Sequence, residues 1–277
     1  MAAIRERNAA LLGALGARNA PAIGFVNEDK LLVAGEIDAR AALLAAWLDA
    51  GMELGNHGYG HLRLGDVPLG EYEAALLKGE VVTRWLLSQR GRAPRYYRHP
   101  YTQTGPSREA KQAFESFLAD HGYKVAPFTV ENSDYIFDWL YAAARARGDG
   151  EQAGRLLRAY LDYNDTMLAF FEAEAQDLFG RSIAQVLLLH ANALNAGALP
   201  EMLERLARRG YRVVPLDEAL ADPAYATRDG YIGSAGPSWI HRWRAGKGGD
   251  AGQALKREPD PPAWVLEAFR NRDRAAD

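Results

Sequence analysis

The sequence predicts an α/β fold on a mostly parallel sheet, and three observations carry that expectation. Short apolar runs alternate with longer segments of helical apolar spacing over residues 3–220, the pattern of strands joined by crossover helices. The run VLLL at 186–189 is apolar throughout, as suits a sheet covered on both faces. Finally, His57, Arg98, Asp134 and His190 each fall at or just after the end of a predicted strand. Sites in such sheets form beyond the carboxyl ends of the strands, so these four residues are expected to share one.

In chain order, residues 3–18 place Ile4, Leu11, Leu12 and Leu15 at helical spacing before a break at Asn19, Ala20 and Pro21. A short apolar run at 22–26, bounded by Pro21 and Asn27, reads as a buried strand. Residues 37–50 form the next helix, with Leu43, Leu44, Trp47 and Leu48 on one stripe. A second strand begins at 52–54, and 69–89 is predicted as one long helix closed by Gly91 and Pro94. Tyr96 and Tyr97 open a third strand; 107–121 is helical, and 123–130 is a fourth strand. Residues 135–180 interrupt the rhythm as a helical insertion, split near 148–150. A fifth strand at 186–189, a helix at 198–208 and a sixth strand at 211–214 complete the pattern. The tail from Ala221, rich in Gly, Pro, Asp and Trp, is expected to wrap the surface. The expected division is a catalytic domain over 1–220 and a C-terminal extension over 221–277 packed on it.

Composition excludes several classes. A net charge of -3 supplies no basic footprint for nucleic acid. No apolar run reaches the length of a membrane span. The absence of cysteine removes disulfides, thiolate metal sites and cysteine nucleophiles. No G-x-S-x-G element supports a serine hydrolase. The first residues carry Arg5, Glu6, Arg7 and Arg18 without a clean apolar segment, so the chain as given shows no signal peptide.

The stretch at 55–62, GNHGYGHL, sets His57 and His61 four residues apart among glycines. Two imidazoles at that spacing can reach one side of a turn, and neutral imidazole is a common ligand for zinc. An isolated H-x3-H is also met on loops that bind nothing.

Three later motifs strengthen that pair. GNHGYGH, then RHPY, then ENSDY, then VLLLH stand in order, and together they resemble the polysaccharide deacetylase family, also called the NodB-homology or carbohydrate esterase family 4. The family's H-[S/T]-x-x-H is His57–His61 with Gly58 at the hydroxyl position. Its R-x-P-Y is Arg98–Tyr101, its acidic residue before an aromatic is Asp134–Tyr135, and its final histidine motif ends at His190. The resemblance spans about residues 3–220 and implies an irregular (β/α) barrel of the NodB type. It also implies hydrolysis of an acetyl group at a bound divalent metal, zinc first, with cobalt or nickel as alternatives. By the same resemblance His57 and His61 would be metal ligands, and His190 the general acid held in its useful tautomer by Asp134. Tyr101 would offer its backbone N–H to the oxyanion, Leu188 and Pro100 would wall the substrate pocket, and Arg98 would orient the base.

That base has no counterpart. The family's T-F-D-D-G motif, which supplies the base and a third ligand, belongs before the helix at 3–18, because 22–26 matches the family's second strand. The fold is therefore expected without its first strand, and the two histidines to hold an ion weakly, since zinc sites normally use three protein ligands. The leading expectation is that the missing strand is encoded upstream of Met1, in which case export to the periplasm or beyond is open. The other two are a natural loss, and rescue by Glu28 or Asp29. The expected function is removal of acetyl groups from an N-acetylated glycan or a related amide. The alternative is an inactive carbohydrate-binding or scaffold protein.

Overall fold

The computed structural model describes residues 1–272; the end of the predicted tail, 273–277, lies outside the described residues. The elements run α1 (Ala2–Ala17), β1 (Ile23–Val26), α2 (Ile37–Asp49), β2 (Glu53–Asn56), α3 (Leu69–Lys78), α4 (Val81–Ser88), β3 (Tyr96–Tyr97) and α5 (Arg108–Asp120). Then come β4 (Lys124–Val125), α6 (Asp134–Ala146), α7 (Gly150–Phe179), α8 (Ala193–Arg208), α9 (Leu216–Leu220), α10 (Trp239–Gly246), α11 (Ala251–Leu255) and α12 (Ala263–Arg270). The chain divides into two compact units. One holds Met1, 21–127 and 228–251, and the other holds 2–20, 128–227 and the residues from 252 onward.

The first unit contains the whole sheet, parallel throughout and ordered β1-β2-β3-β4. Val26 pairs with Asn56, Asn56 with Tyr97, and Tyr97 with Val125, so the strand ends line up. Two apolar clusters hold the crossover helices to it. Val26, Leu48, Leu54, Leu86 and Leu87 form one, and Leu64, Tyr72, Leu76, Tyr97, Phe114, Leu118 and Tyr123 the other. Full burial of each such side chain contributes about 1.5–3 kcal/mol.

The second unit is mainly helical. Helix α7 presents Leu156, Tyr160, Met167, Leu168 and Phe171 to its interior, Phe137 of α6 stacks on Tyr163, and α1 packs along α8. The helical insertion is therefore present, with its break at Arg147, Gly148 and Asp149.

The structure departs from the sequence expectations in several elements, the fourth strand among them, which is Lys124–Val125 and not 123–130. The helix predicted over 69–89 is two, because the chain breaks at Gly79. A Cβ there would lie 2.6 Å from the Gly58 carbonyl carbon and 2.9 Å from the Tyr59 nitrogen, so only glycine lets the histidine loop pass. The predicted fifth strand makes one parallel bridge, Val130 to Leu187, instead of a ladder. Residues 211–214 form no strand and leave Val213 at the surface; local apolar character without a pairing partner does not make a strand. The tail also does more than cover: Trp239, Ile240, His241, Arg242 and Trp243 are all buried within the first unit. Among the described residues, no helix is long and apolar enough to cross a membrane.

Candidate active site

In the first unit, the parallel register brings Asn27 and Asn56 to neighbouring strand ends, and both grip the histidine loop. Asn56, fully buried, accepts from the Gly58 N–H at 2.7 Å and donates to the Leu76 carbonyl at 2.9 Å. Asn27 donates to the Gly58 carbonyl at 2.8 Å. Gly58 has φ +74, a left-handed geometry that favours glycine over residues with a side chain. The His57 Nδ1–H donates to the Arg98 carbonyl at 2.7 Å. A carbonyl only accepts, so the neutral ring carries its lone pair on Nε2. The His61 ring lies 4.9 Å from His57, centroid to centroid, and 4.5 Å from the ring of Tyr101.

Arg98 is buried, and its guanidinium donates to the carbonyls of Ala126 and Pro127 at 2.8 and 3.2 Å while covering the Phe25 ring. Its backbone thus orients His57 and its side chain ties the end of β4. Pro100 opens a 3-10 turn, Pro100–Thr102, in which Tyr101 and Thr102 both adopt φ +54. Tyr101 is half exposed and its ring lies under the Arg63 guanidinium at 4.4 Å. His99 is buried, and desolvation beside Arg242 and Lys111 holds its imidazole well below the ordinary histidine range. It packs against Phe114 and Tyr97 as a neutral core residue.

In the second unit, Asp134 opens α6, where the helix N-terminus favours a carboxylate. The Asp134 carboxylate accepts from the His190 Nδ1–H at 2.7 Å, the His190 backbone N–H at 2.8 Å and Asn195 Nδ2 at 2.6 Å. His190 is 59% exposed against 3% for Asp134, so the pair offers an imidazole to solvent on a buried anchor. Leu188 donates its N–H to the Val130 carbonyl at 2.9 Å, which sets the chain leading to His190. Behind Asp134 lies a network the motifs do not reveal. Tyr160 donates to Asn195 Oδ1 at 2.7 Å, and Asn132 donates to Tyr160 and to Asn164 Oδ1, each at 2.9 Å. The only sequence signal was polar residues on the apolar stripe of α7.

Glu131, on the same loop, is pushed by burial and by nearby Glu258 from 4.5 up to about 7. The folded state therefore binds more protons than the unfolded chain between those two pH values, and stability falls as pH rises across that window. The shift corresponds to at most about 3 kcal/mol. Urea midpoints measured between pH 4.5 and 7 should fall in the wild type, and Glu131→Gln should flatten the slope and be more stable above it. Parallel slopes in the two proteins would discard this assignment.

Glu28, the candidate substitute base, is engaged otherwise. It is buried and accepts from the N–H groups of Val82 and Thr83 at 3.0 and 2.6 Å, capping α4. Asp29 pairs with Lys30 at 2.9 Å. Among the described residues no group of three His, Asp or Glu side chains could hold a metal ion. Two imidazoles alone fall short of the three protein ligands that zinc sites normally use.

Residues 3–130 match the family model described as Polysaccharide deacetylase. Among solved structures, the chain resembles a CE4 family pseudoenzyme from Bacillus anthracis with TM-score 0.52 at 18% identity, covering 78% of this chain and 60% of that one. A mutant of that pseudoenzyme with restored enzymatic activity gives 0.52 and 18%, covering 78% and 62%. A family 4 carbohydrate esterase from Streptomyces lividans, in complex with acetate, gives 0.49 and 18%, covering 77% and 88%. The chain spans about 60% of the length of the first of these. No curated protein matches the chain. The motif resemblance thus has a family match over 3–130, and the α/β fold with its parallel sheet is the fold of the pseudoenzyme.

Proposed function

From the premise that residues 3–130 carry the polysaccharide deacetylase signature, we propose that the protein is a deacetylase-type hydrolase acting on the C–N bond of an N-acetylated carbohydrate. The observation that carries this reading is the Asp134–His190 dyad, a solvent-facing imidazole whose Nδ1–H is fixed on a buried carboxylate at 2.7 Å. Fixing Nδ1–H sets the acid–base nitrogen as Nε2, which can hand a proton to a leaving amine. The Tyr101 N–H is the proposed oxyanion donor, and Leu188 and Pro100 the proposed walls of the acyl pocket. His57 and His61 would be two ligands of a divalent ion, zinc before cobalt or nickel, held weakly for want of a third.

A second reading, a carbohydrate-binding protein without turnover, is favoured by one specific observation. Glu28 is engaged in capping α4, and among the described residues no group of three His, Asp or Glu side chains could hold a metal ion. Of the two solved structures reported with TM-score 0.52, one is called a pseudoenzyme and the other is its mutant with restored enzymatic activity.

Acetate release from N-acetylated chito-oligosaccharides, with zinc or cobalt added, tests the two. Release that His190→Ala abolishes supports the hydrolase. Binding of the oligosaccharide by calorimetry with no release supports the second reading, and neither binding nor release removes both.

A further inference from the structure

One fully buried side chain of the first unit lies in the tail, remote in sequence from every motif. Arg242 on α10 has no exposed surface, and its three nitrogens point at one loop and its own segment. Nη2 donates to the Thr102 carbonyl at 2.7 Å, Nη1 to the Thr104 hydroxyl at 2.7 Å, and Nε to the Pro237 carbonyl at 2.9 Å. Its planar cation is stacked over Trp239 at 4.4 Å, with Tyr231 at 5.2 Å. Asp229 lies 3.4 Å from Nη1 and also pairs with Lys111, so one carboxylate partly offsets two buried cations.

The loop so held is the unusual one. Tyr101 and Thr102 are consecutive non-glycine residues at φ +54, and a β-branched residue rarely adopts that conformation unless its surroundings enforce it. A second contact from the same segment closes on it. The Thr102 hydroxyl donates to the Gly236 carbonyl at 2.8 Å. A Cβ on Gly236 would sit 1.9 Å from the Thr102 Oγ1 and 2.2 Å from the Tyr101 carbonyl oxygen. The backbone of 236 is thus pressed against the turn, and only glycine allows it.

We infer that Arg242 is a positioning residue: with Gly236 it locks Tyr101 and Thr102 in the left-handed conformation and so aims the Tyr101 N–H. This rests on the deacetylase reading for what the N–H is aimed at. A guanidinium suits the task because its rigid fork fixes a carbonyl and a hydroxyl at once, which an ammonium on a flexible stem does not. The segment 228–251 is then part of the functional machinery and not a trailing cover.

Amide hydrogen exchange on the full chain tests the lock. The Thr102 and Gln103 amides close the turn on His99 and Pro100 and serve as reporters. In Arg242→Lys and in the milder Thr104→Val, both should exchange about tenfold faster or more, while amides of β1 and β2 keep their wild-type rates. Unchanged rates at 102 and 103 in Thr104→Val, or equal loosening of the whole sheet, overturn the proposal; should Arg242→Lys fail to fold, Thr104→Val decides alone. Acetate titration followed at the Tyr101 amide by NMR separates the two layers. A wild-type Tyr101 amide that responds to acetate, and responds less in Thr104→Val, supports the aim. One that ignores acetate counts against the deacetylase reading and, with it, against the aim of the N–H, while the exchange rates still judge the lock.

Discussion

Asp134→Ala is expected to lower stability by about 3 kcal/mol at neutral pH, because it strands three donors at once. The Asn195 amide and the His190 backbone N–H both point at the lost carboxylate, and Asn195 in turn anchors Tyr160, Asn132 and Asn164 inside the helical unit. Asp134→Asn should cost about half as much, since one oxygen still accepts while the new amide meets a donor. Urea unfolding of the three proteins gives the ranking, and nitrogen-15 NMR of the imidazole gives the tautomer. The wild type should show Nδ1–H, and both variants should show a mixture. Wild-type stability in the alanine variant, or an unaltered tautomer, would separate His190 from its carboxylate and remove the dyad as a functional unit.

Glu28→Ala is expected to cost about 2–3 kcal/mol, the loss of two hydrogen bonds from a charged acceptor at a helix N-terminus. Glu28 is 4% exposed and its carboxylate accepts from the amides of Val82 and Thr83. Glu28→Gln should cost less, because its amide oxygen still reaches one of the two N–H groups. Thermal unfolding of both variants beside acetate release decides whether this residue is a cap or a base. A glutamine variant that keeps its stability and loses turnover is the outcome that makes Glu28 a base.

These two residues show where the sequence was legible. Asp134 and His190 could be found because a strand end exposes its last polar residue, and motif spacing survives in one dimension. His57 and His61 were legible for the same reason, with Gly58 and Gly60 between them at positive φ. Glu28 was not, because its partners are backbone amides of residues 82 and 83, and backbone groups leave no trace in the sequence. Gly79 gave a usable signal, a glycine inside a helical pattern, but the chain it makes room for is 20 positions away by sequence number. Apolar content alone predicts a strand for the VLLL run. Its ladder reduces to the bridge at Leu187, since strand length is set by the partner and not by composition. Arg242 was invisible for the strongest reason: a charged residue in a polar tail predicts exposure, and only long-range partners make its burial tolerable.

The interleaving of the two units has a consequence for biosynthesis. Arg242 reaches Thr102 across 140 positions, and the first unit owns both 21–127 and 228–251. A ribosome adding about 5–20 residues per second needs about 6–25 s to travel from residue 127 to residue 251. Throughout that interval the sheet is made but its last buried segment, with Trp239 and Trp243, is still unsynthesised. The first unit therefore lacks these buried side chains until α10 emerges, so chaperone capture should peak on ribosome-stalled chains ending between 127 and 228 and drop afterwards.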